Sequence, residues 1–132
     1  MAMTQEERDA QDAASLVEAV NDRITAYRKE KERGEVSVLG MTFTNDEKTE
    51  ARILGAWVQA KLNPLYTVND WKIGDVFIDL TNVQLIGIGD TLNAHLKKCF
   101  TAEKVVTVAH SATPYTSITA VETAYDTAYA NA

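Results

Sequence analysis

The chain has 132 residues, of which 45% are hydrophobic and 24% are charged, and this balance is typical of one globular domain and not of a disordered chain. Its formal net charge of −6 disfavours binding to nucleic-acid backbones and to anionic membrane surfaces. A single cysteine excludes an intramolecular disulfide, and no apolar run reaches the length of a membrane span.

The first predicted element is a long amphipathic helix from Gln5 to Arg33, which contains neither Gly nor Pro and ends at Gly34. Its apolar residues recur at alternating spacings of three and four, as heptad a and d positions do: Ala10, Ala13, Val17, Val20, Ile24 and Tyr27. One interpretation is a helix that folds back on its own domain. The other is a self-associating stalk with an oligomer or partner interface formed by Leu16, Val17, Val20, Ile24 and Tyr27. The predicted domains are this helical segment, residues 1–33, and a single α+β domain, residues 34–132.

A short hairpin is predicted next, over residues 34–43, with Leu39-Gly40 between its strands. The sequence TNDE then predicts a capping box, with Thr44 as the N-cap and Glu47 at the N3 position. The helix that follows ends before Pro64. Its predicted buried side consists of Ile53, Leu54, Trp57, Val58 and Leu62.

A second hairpin is predicted over residues 66–80, with its turn at Gly74-Asp75 and with Trp71 as a core anchor. A capping box of Thr81 and Gln84 then begins a helix to about Cys99. A weaker helix over about 101–110 and a last helix over about 117–130 complete the chain. This order predicts an α+β fold, in which the long N-terminal helix precedes a small antiparallel sheet of two short hairpins packed on three or four helices.

The stretch LNAHLKKCF places His95 four residues before Cys99, so that both side chains would lie on one face of a helix. A zinc site needs three or four nitrogen and sulfur ligands, and His110 is the one further His or Cys in the chain. Cys99 also continues the apolar stripe of Ile88, Leu92 and Leu96, which favours a buried structural cysteine. We therefore predict no catalytic, metal-binding or cofactor-binding residue. A small metal- or thiol-dependent enzyme that uses His95, Cys99 and His110 is the alternative from another functional class.

The stretch IGIGD, residues 86–90, contains two glycines but lacks the spacing and the lysine of a phosphate-binding loop. It lies inside a helical pattern rather than after a strand. Its glycines are therefore predicted to let a neighbouring element approach closely.

Two segments, VSVLGMTFTNDEKTEARI and WKIGDVFIDLTNVQLIGIGDTLNAHLKKCF, carry a family resemblance. They resemble the uncharacterised domain at the C-terminal ends of many bacteriophage and prophage tail-fibre and tail-associated proteins. The resemblance covers about residues 23–100, and its motif positions correspond to Gly40, Phe43, Asp46, Trp71, Leu80, Thr81, His95 and Phe100.

This resemblance implies a non-enzymatic bacteriophage virion structural or assembly protein, a tail- or tail-fibre-associated adaptor that acts through protein–protein contacts. The implied partners are further copies of the chain, in a trimer or a symmetric ring, and other phage tail proteins. A capsid-attached accessory protein is the alternative. The start MAMTQEERDAQ lacks a signal-peptide pattern, so we expect synthesis in the host cytoplasm and a final location in the virion tail.

Overall fold

The computed structural model describes residues 2–73 and 75–132. The fold is α+β, as predicted, and its elements in chain order are α1 (Gln5–Glu32), β1 (Glu35–Val38), β2 (Met41–Thr44), α2 (Glu47–Leu62), β3 (Val68–Ile73), β4 (Val76–Leu80), α3 (Asn82–Ala112) and α4 (Ile118–Asn131). The chain forms two compact units: unit 1 combines the residues up to Lys31 with residues 98–132, and unit 2 is Glu32–Lys97. This grouping differs from the predicted division at residues 33 and 34, because α1 packs with the last part of the chain.

Unit 1 is built from α1, the second half of α3 and α4. Its core consists of Val20, Ile24, Ala102, Val106, Val121 and Tyr125. The Tyr125 side chain is 1% exposed, and its hydroxyl donates a hydrogen bond of 2.8 Å to the carbonyl oxygen of Cys99. The Tyr27 ring meets the Tyr125 ring edge-on, with 5.1 Å between the ring centroids. From Val20 onward, α1 therefore packs on its own chain, which is the folded-back interpretation.

Charged side chains join α1 to the other two helices of unit 1. Arg23 forms an ion pair of 2.8 Å with Glu122, and Arg28 forms an ion pair with Glu103. The Tyr27 hydroxyl donates to the Asp126 carboxylate at 2.9 Å, and partial burial raises the pKa of this phenol. Because partly exposed ion pairs each contribute little to stability, their main effect is to fix how α1 is aligned along α3 and α4.

Unit 2 contains both hairpins, α2 and the first half of α3. Its core consists of Val36, Ile53, Ala56, Ala60, Trp71, Leu80, Leu85, Ile88 and Leu92. The hairpins form two separate two-stranded antiparallel sheets, β1–β2 and β3–β4. Trp71 is 8% exposed, which agrees with its predicted role as a core anchor.

The hairpin turns follow from backbone conformation. Leu39 and Gly40 have φ angles of 55° and 73°, and the flanking residues Val38 and Met41 are paired, so β1 and β2 are joined by a two-residue turn of the I′ kind. Asp70, with φ of 57°, lies in a bulge of β3 and donates its N–H to the Asp79 carboxylate at 2.9 Å. The second predicted turn, Gly74-Asp75, includes Gly74, which lies outside the described residues.

The two predicted capping boxes have different outcomes. The box of Thr81 and Gln84 is confirmed: the Thr81 N–H donates to Gln84 Oε1 at 3.0 Å, and the Gln84 N–H donates to Thr81 Oγ1 at 3.3 Å. The prediction of Thr44 as N-cap of α2 is wrong, because Thr44 pairs with Glu35 in the first hairpin. Asp46 is the N-cap instead, and its carboxylate accepts the Thr49 N–H at 2.7 Å.

Two helix predictions also need correction. The two helices predicted before and after Cys99 are one continuous helix, α3. The residues after Cys99 have a weak local preference for helix, and the buried contacts of Ala102 and Val106 stabilise the helical conformation there. In α2, Val58 and Leu62 are 45% and 78% exposed, not buried. The buried stripe is Ile53, Ala56 and Ala60.

One glycine of the IGIGD stretch allows the close approach that the sequence predicts. A Cβ atom placed on Gly89 would lie 2.2 Å from Cδ1 and 2.3 Å from Cγ of Trp57, so the indole lies directly over the glycine. The Trp57 Nε1–H also donates to Asp90 Oδ1 at 2.9 Å. A Cβ atom placed on Gly87 would meet no atom within 4 Å.

Candidate functional site

The structure does not assemble His95, Cys99 and His110 into a reactive site. Cys99 is 0% exposed, and His95 is half-buried on the same helix. Cys99 and His110 are eleven residues apart on α3, which corresponds to about 16 Å along the helix axis. Within residues 2–73 and 75–132, no group of three His, Cys, Asp or Glu side chains is placed to hold a metal ion.

His110 has a structural role instead. Its side chain is 2% exposed, and its Nδ1 accepts the Tyr115 N–H at 3.0 Å. Because Nδ1 is the acceptor, Nε2 carries the proton of the neutral ring and donates to the Val17 carbonyl at 3.1 Å. The imidazole thus holds the end of α3 and the following loop against α1.

The predicted oligomer interface lies largely within unit 1. Val20 and Ile24 are 0% and 3% exposed, and both contact the other helices of this unit. Val17 and Tyr27 are half-buried. Val20 and Ile24 are therefore not accessible to a partner while unit 1 is folded, and of the five predicted residues only Leu16 is exposed, at 38%.

The candidate functional site is a different feature of unit 2, three exposed aliphatic residues on segments that Asn82 links, Leu62, Leu65 and Val83, which we call the aliphatic surface. These side chains are 78%, 86% and 79% exposed. Leu62 ends α2, Leu65 lies in the loop that follows, and Val83 lies in the first turn of α3. Singly exposed apolar residues are common, but a group this exposed on adjoining segments marks a surface suited to another protein.

The side chain of Asn82 holds the backbone beneath this aliphatic surface. Its Nδ2 lies 2.9 Å from the carbonyl oxygens of Ala60 and Asn63 and 3.2 Å from that of Tyr66. The loop is further fixed by the Leu65 N–H, which donates to Asn63 Oδ1 at 3.0 Å. Since the loop is already ordered by these bonds, a partner that covers Leu62 and Leu65 would lose little entropy in ordering it.

The sequence prediction missed this surface. The helical period assigned Leu62 to the buried side of α2 and made no assignment for Leu65. One signal was present, because Val83 lies outside the stripe of Leu85, Ile88 and Leu92 that α3 buries. An apolar residue away from the buried stripe of a well-capped helix indicates exposure, although it does not identify a partner.

Within the described ranges, none of the helices combines the length and the apolar character that crossing a membrane requires. Comparison with curated proteins and with solved structures gives no significant match. The sequence model of a domain of unknown function, DUF4376, matches residues 9–129. Since this match extends over nearly the whole sequence, the chain belongs to the DUF4376 family.

Proposed function

We propose that the protein is a non-enzymatic bacteriophage virion protein, an adaptor of the tail or tail fibre that acts through protein–protein contacts. The observation that carries the proposal is the aliphatic surface of Leu62, Leu65 and Val83, with exposures of 78%, 86% and 79%. Covering each such side chain would contribute on the order of 1.5–3 kcal/mol to an interface. Three of them on a pre-ordered backbone would form the apolar centre of a larger interface.

The proposed place in the virion tail depends on the family resemblance. The segments that resemble the phage tail-fibre-associated domain include the second hairpin and the first half of α3. Val83, one of the three residues of the aliphatic surface, therefore lies inside the resembling region. The proposed partners are other copies of the chain, in a trimer or a symmetric ring, and neighbouring tail proteins.

The first experiment tests the aliphatic surface with a charge substitution and a matched control. Leu65→Glu places a carboxylate at the most exposed of the three positions, whereas Phe77→Glu places one at a 62% exposed apolar residue of the second hairpin. Phe77 pairs with Lys72 across the hairpin, so its replacement by Glu should be tolerated. Both variants should keep the helical circular-dichroism spectrum and the melting temperature of the parent protein.

We expect Leu65→Glu, and not Phe77→Glu, to lose incorporation into tails when each is expressed during phage growth and virions are separated into heads and tails. If both variants are incorporated into tails equally, the aliphatic surface does not bind a tail partner and this part of the proposal is refuted. Recovery of the parent protein with heads would contradict the tail assignment and favour a capsid-attached accessory protein.

A further inference from the structure

The first three turns of α1 extend past the part of the helix that packs in unit 1. We call Gln5–Leu16 the overhang; all of its residues are exposed, and Val20 is the first fully buried residue of the helix. The overhang is about 18 Å long at 1.5 Å per residue. Isolated helices of about this length are marginally stable in water, so a partner that covers the overhang would stabilise it.

Unit 1 also has an apolar groove between α3 and α4. Two hollows of about 490 and 390 Å³ follow each other along these helices. Most of the lining side chains on the helices are small, among them Thr101, Ala109 and Ala112 of α3 and Ala120 and Ala124 of α4, and Tyr115 of the connecting loop also belongs to the lining. Val105 and Val108 of α3, which are 52% and 61% exposed, form an apolar edge. From Thr101 to Ala112 the groove is about 16 Å long.

We propose that the α3–α4 groove binds the overhang of a second copy of the chain. The two lengths agree to within about one helix residue. Ala10, Ala13 and Ala14 occupy one side of the overhang, and the groove is also lined by small residues, so the helix axes could approach closely. This inference builds on the self-association in the proposed function and names the surfaces that would meet.

Charge favours the same pairing. The overhang contains four acidic residues, Glu6, Glu7, Asp9 and Asp12, against one basic residue, Arg8. The side chains that line the groove are uncharged, and the exposed Lys104 lies one turn from Val108 and next to Val105 on α3. An acidic helix would therefore meet an apolar groove with a lysine at its edge, and its association should weaken as salt rises.

The overhang cannot reach the groove of its own copy. It belongs to the same uninterrupted α-helix, Gln5–Glu32, that packs with Val106 and Val121 from Val20 onward. The His110 side chain also hydrogen-bonds to the Val17 carbonyl, which fixes α1 at the residue directly after the overhang. Filling the groove of the same copy would require α1 to break at this point, so the occupant comes from another copy.

Each copy would then carry one overhang and one groove, so the contact joins two different surfaces. Contacts of this kind pass from copy to copy and close into a ring when the rotation allows it. This arrangement is compatible with the trimer or symmetric ring of the proposed function. It differs from a coiled-coil stalk, in which each overhang would meet the overhangs of other copies.

Engineered cysteines distinguish these arrangements. The native Cys99 is 0% exposed and does not interfere. One preparation carries Ala13→Cys in the overhang, and two others carry Val105→Cys or Val108→Cys at the groove edge. Each is oxidised alone and in pairwise mixtures, and the products are resolved on a non-reducing gel. We expect disulfide-linked pairs to form in the overhang and groove mixtures and not in the separate preparations.

Linkage of Ala13→Cys to itself would overturn the proposal in favour of a stalk, and linkage in no mixture would overturn it as well. Lys104→Glu should lower the linked fraction several-fold at low salt and leave the melting temperature unchanged. The native mass of the parent protein separates the two proposals. If the native mass is a multiple of 14.5 kDa but no mixed disulfide forms, the chain self-associates by another surface and only the groove contact is refuted. If the native mass is 14.5 kDa at high concentration, the protein is a monomer and the proposed self-association is refuted.

Discussion

Replacing Gly89 by Ala tests the packing of α2 on α3 directly, because Trp57 of α2 lies over this glycine of α3. The added Cβ would lie 2.2, 2.3 and 2.5 Å from three Trp57 atoms, whereas carbon atoms in contact normally stay about 3.5–4.0 Å apart. The indole would have to move by more than about 1 Å. That movement would also break the hydrogen bond of 2.9 Å from Trp57 to Asp90.

The size of the effect follows from three contributions. Overpacking of this kind costs about 1–3 kcal/mol, and loss of the hydrogen bond costs about 1 kcal/mol more. Replacing Gly by Ala inside a helix returns about 0.5–1 kcal/mol. We therefore expect Gly89→Ala to lower the free energy of unfolding by about 1–3 kcal/mol.

Gly87→Ala is the matched control, since a Cβ there meets no atom within 4 Å in the same helix. It should raise the free energy of unfolding by up to about 1 kcal/mol. The assay is urea denaturation of both variants, followed by tryptophan fluorescence and by circular dichroism at 222 nm. If Gly89→Ala is as stable as Gly87→Ala, the indole does not lie over Gly89 and the proposed close approach is refuted.

Three further predictions concern single side chains. Tyr125→Phe keeps the packing of the ring but removes its hydrogen bond to the Cys99 carbonyl, so it should lower the free energy of unfolding by about 1 kcal/mol in urea titrations; an unchanged value would show that this bond contributes nothing. Cys99→Ala removes a fully buried thiol, and it should cost about 1 kcal/mol without changing the metal content of the purified protein; stoichiometric zinc lost on substitution would contradict the structural assignment. The third substitution is Asp46→Asn at the N-cap of α2, where the hydrogen bond from the Thr49 N–H lowers the pKa of the Asp46 carboxyl. The ionised cap therefore stabilises the folded state above the ordinary carboxyl pKa of about 3.9, and this stability is lost as the pH falls through the lower pKa of the folded state. Acid unfolding curves of Asp46→Asn should lack this contribution, and curves that coincide with those of the parent protein would assign the acid sensitivity to other groups.

Local sequence signals predicted most of the elements because they act within a few residues. Thr81 and Gln84 satisfy each other's backbone N–H groups wherever the helix goes next, so this start could be identified directly. At the start of α2 the predicted N-cap was Thr44, whereas Asp46 caps the helix. Thr44 is paired with Glu35 in the first hairpin, and that pairing depends on a neighbouring strand.

Burial was harder to predict because it depends on which helices meet. In α2 the large side chains of Val58 and Leu62 suggested a buried face, yet the helix buries Ala56 and Ala60. Small residues allow close helix contact and give a weak hydrophobic signal. The exposed aliphatic surface was missed for the same reason, since an apolar residue in a sequence does not show whether the fold covers it.

Unit 1 is assembled from the two ends of the chain, whereas unit 2 is a continuous segment between them. The bonds from Arg23 to Glu122 and from Tyr27 to Asp126 each join residues 99 positions apart. During synthesis, α1 leaves the ribosome before any of its packing partners exist, and Val20 and Ile24 stay uncovered until residues 98–132 follow. Unit 2 can complete its contacts during this interval, so unit 1 closes last, and its apolar stripe stays exposed to chaperones and to aggregation until then.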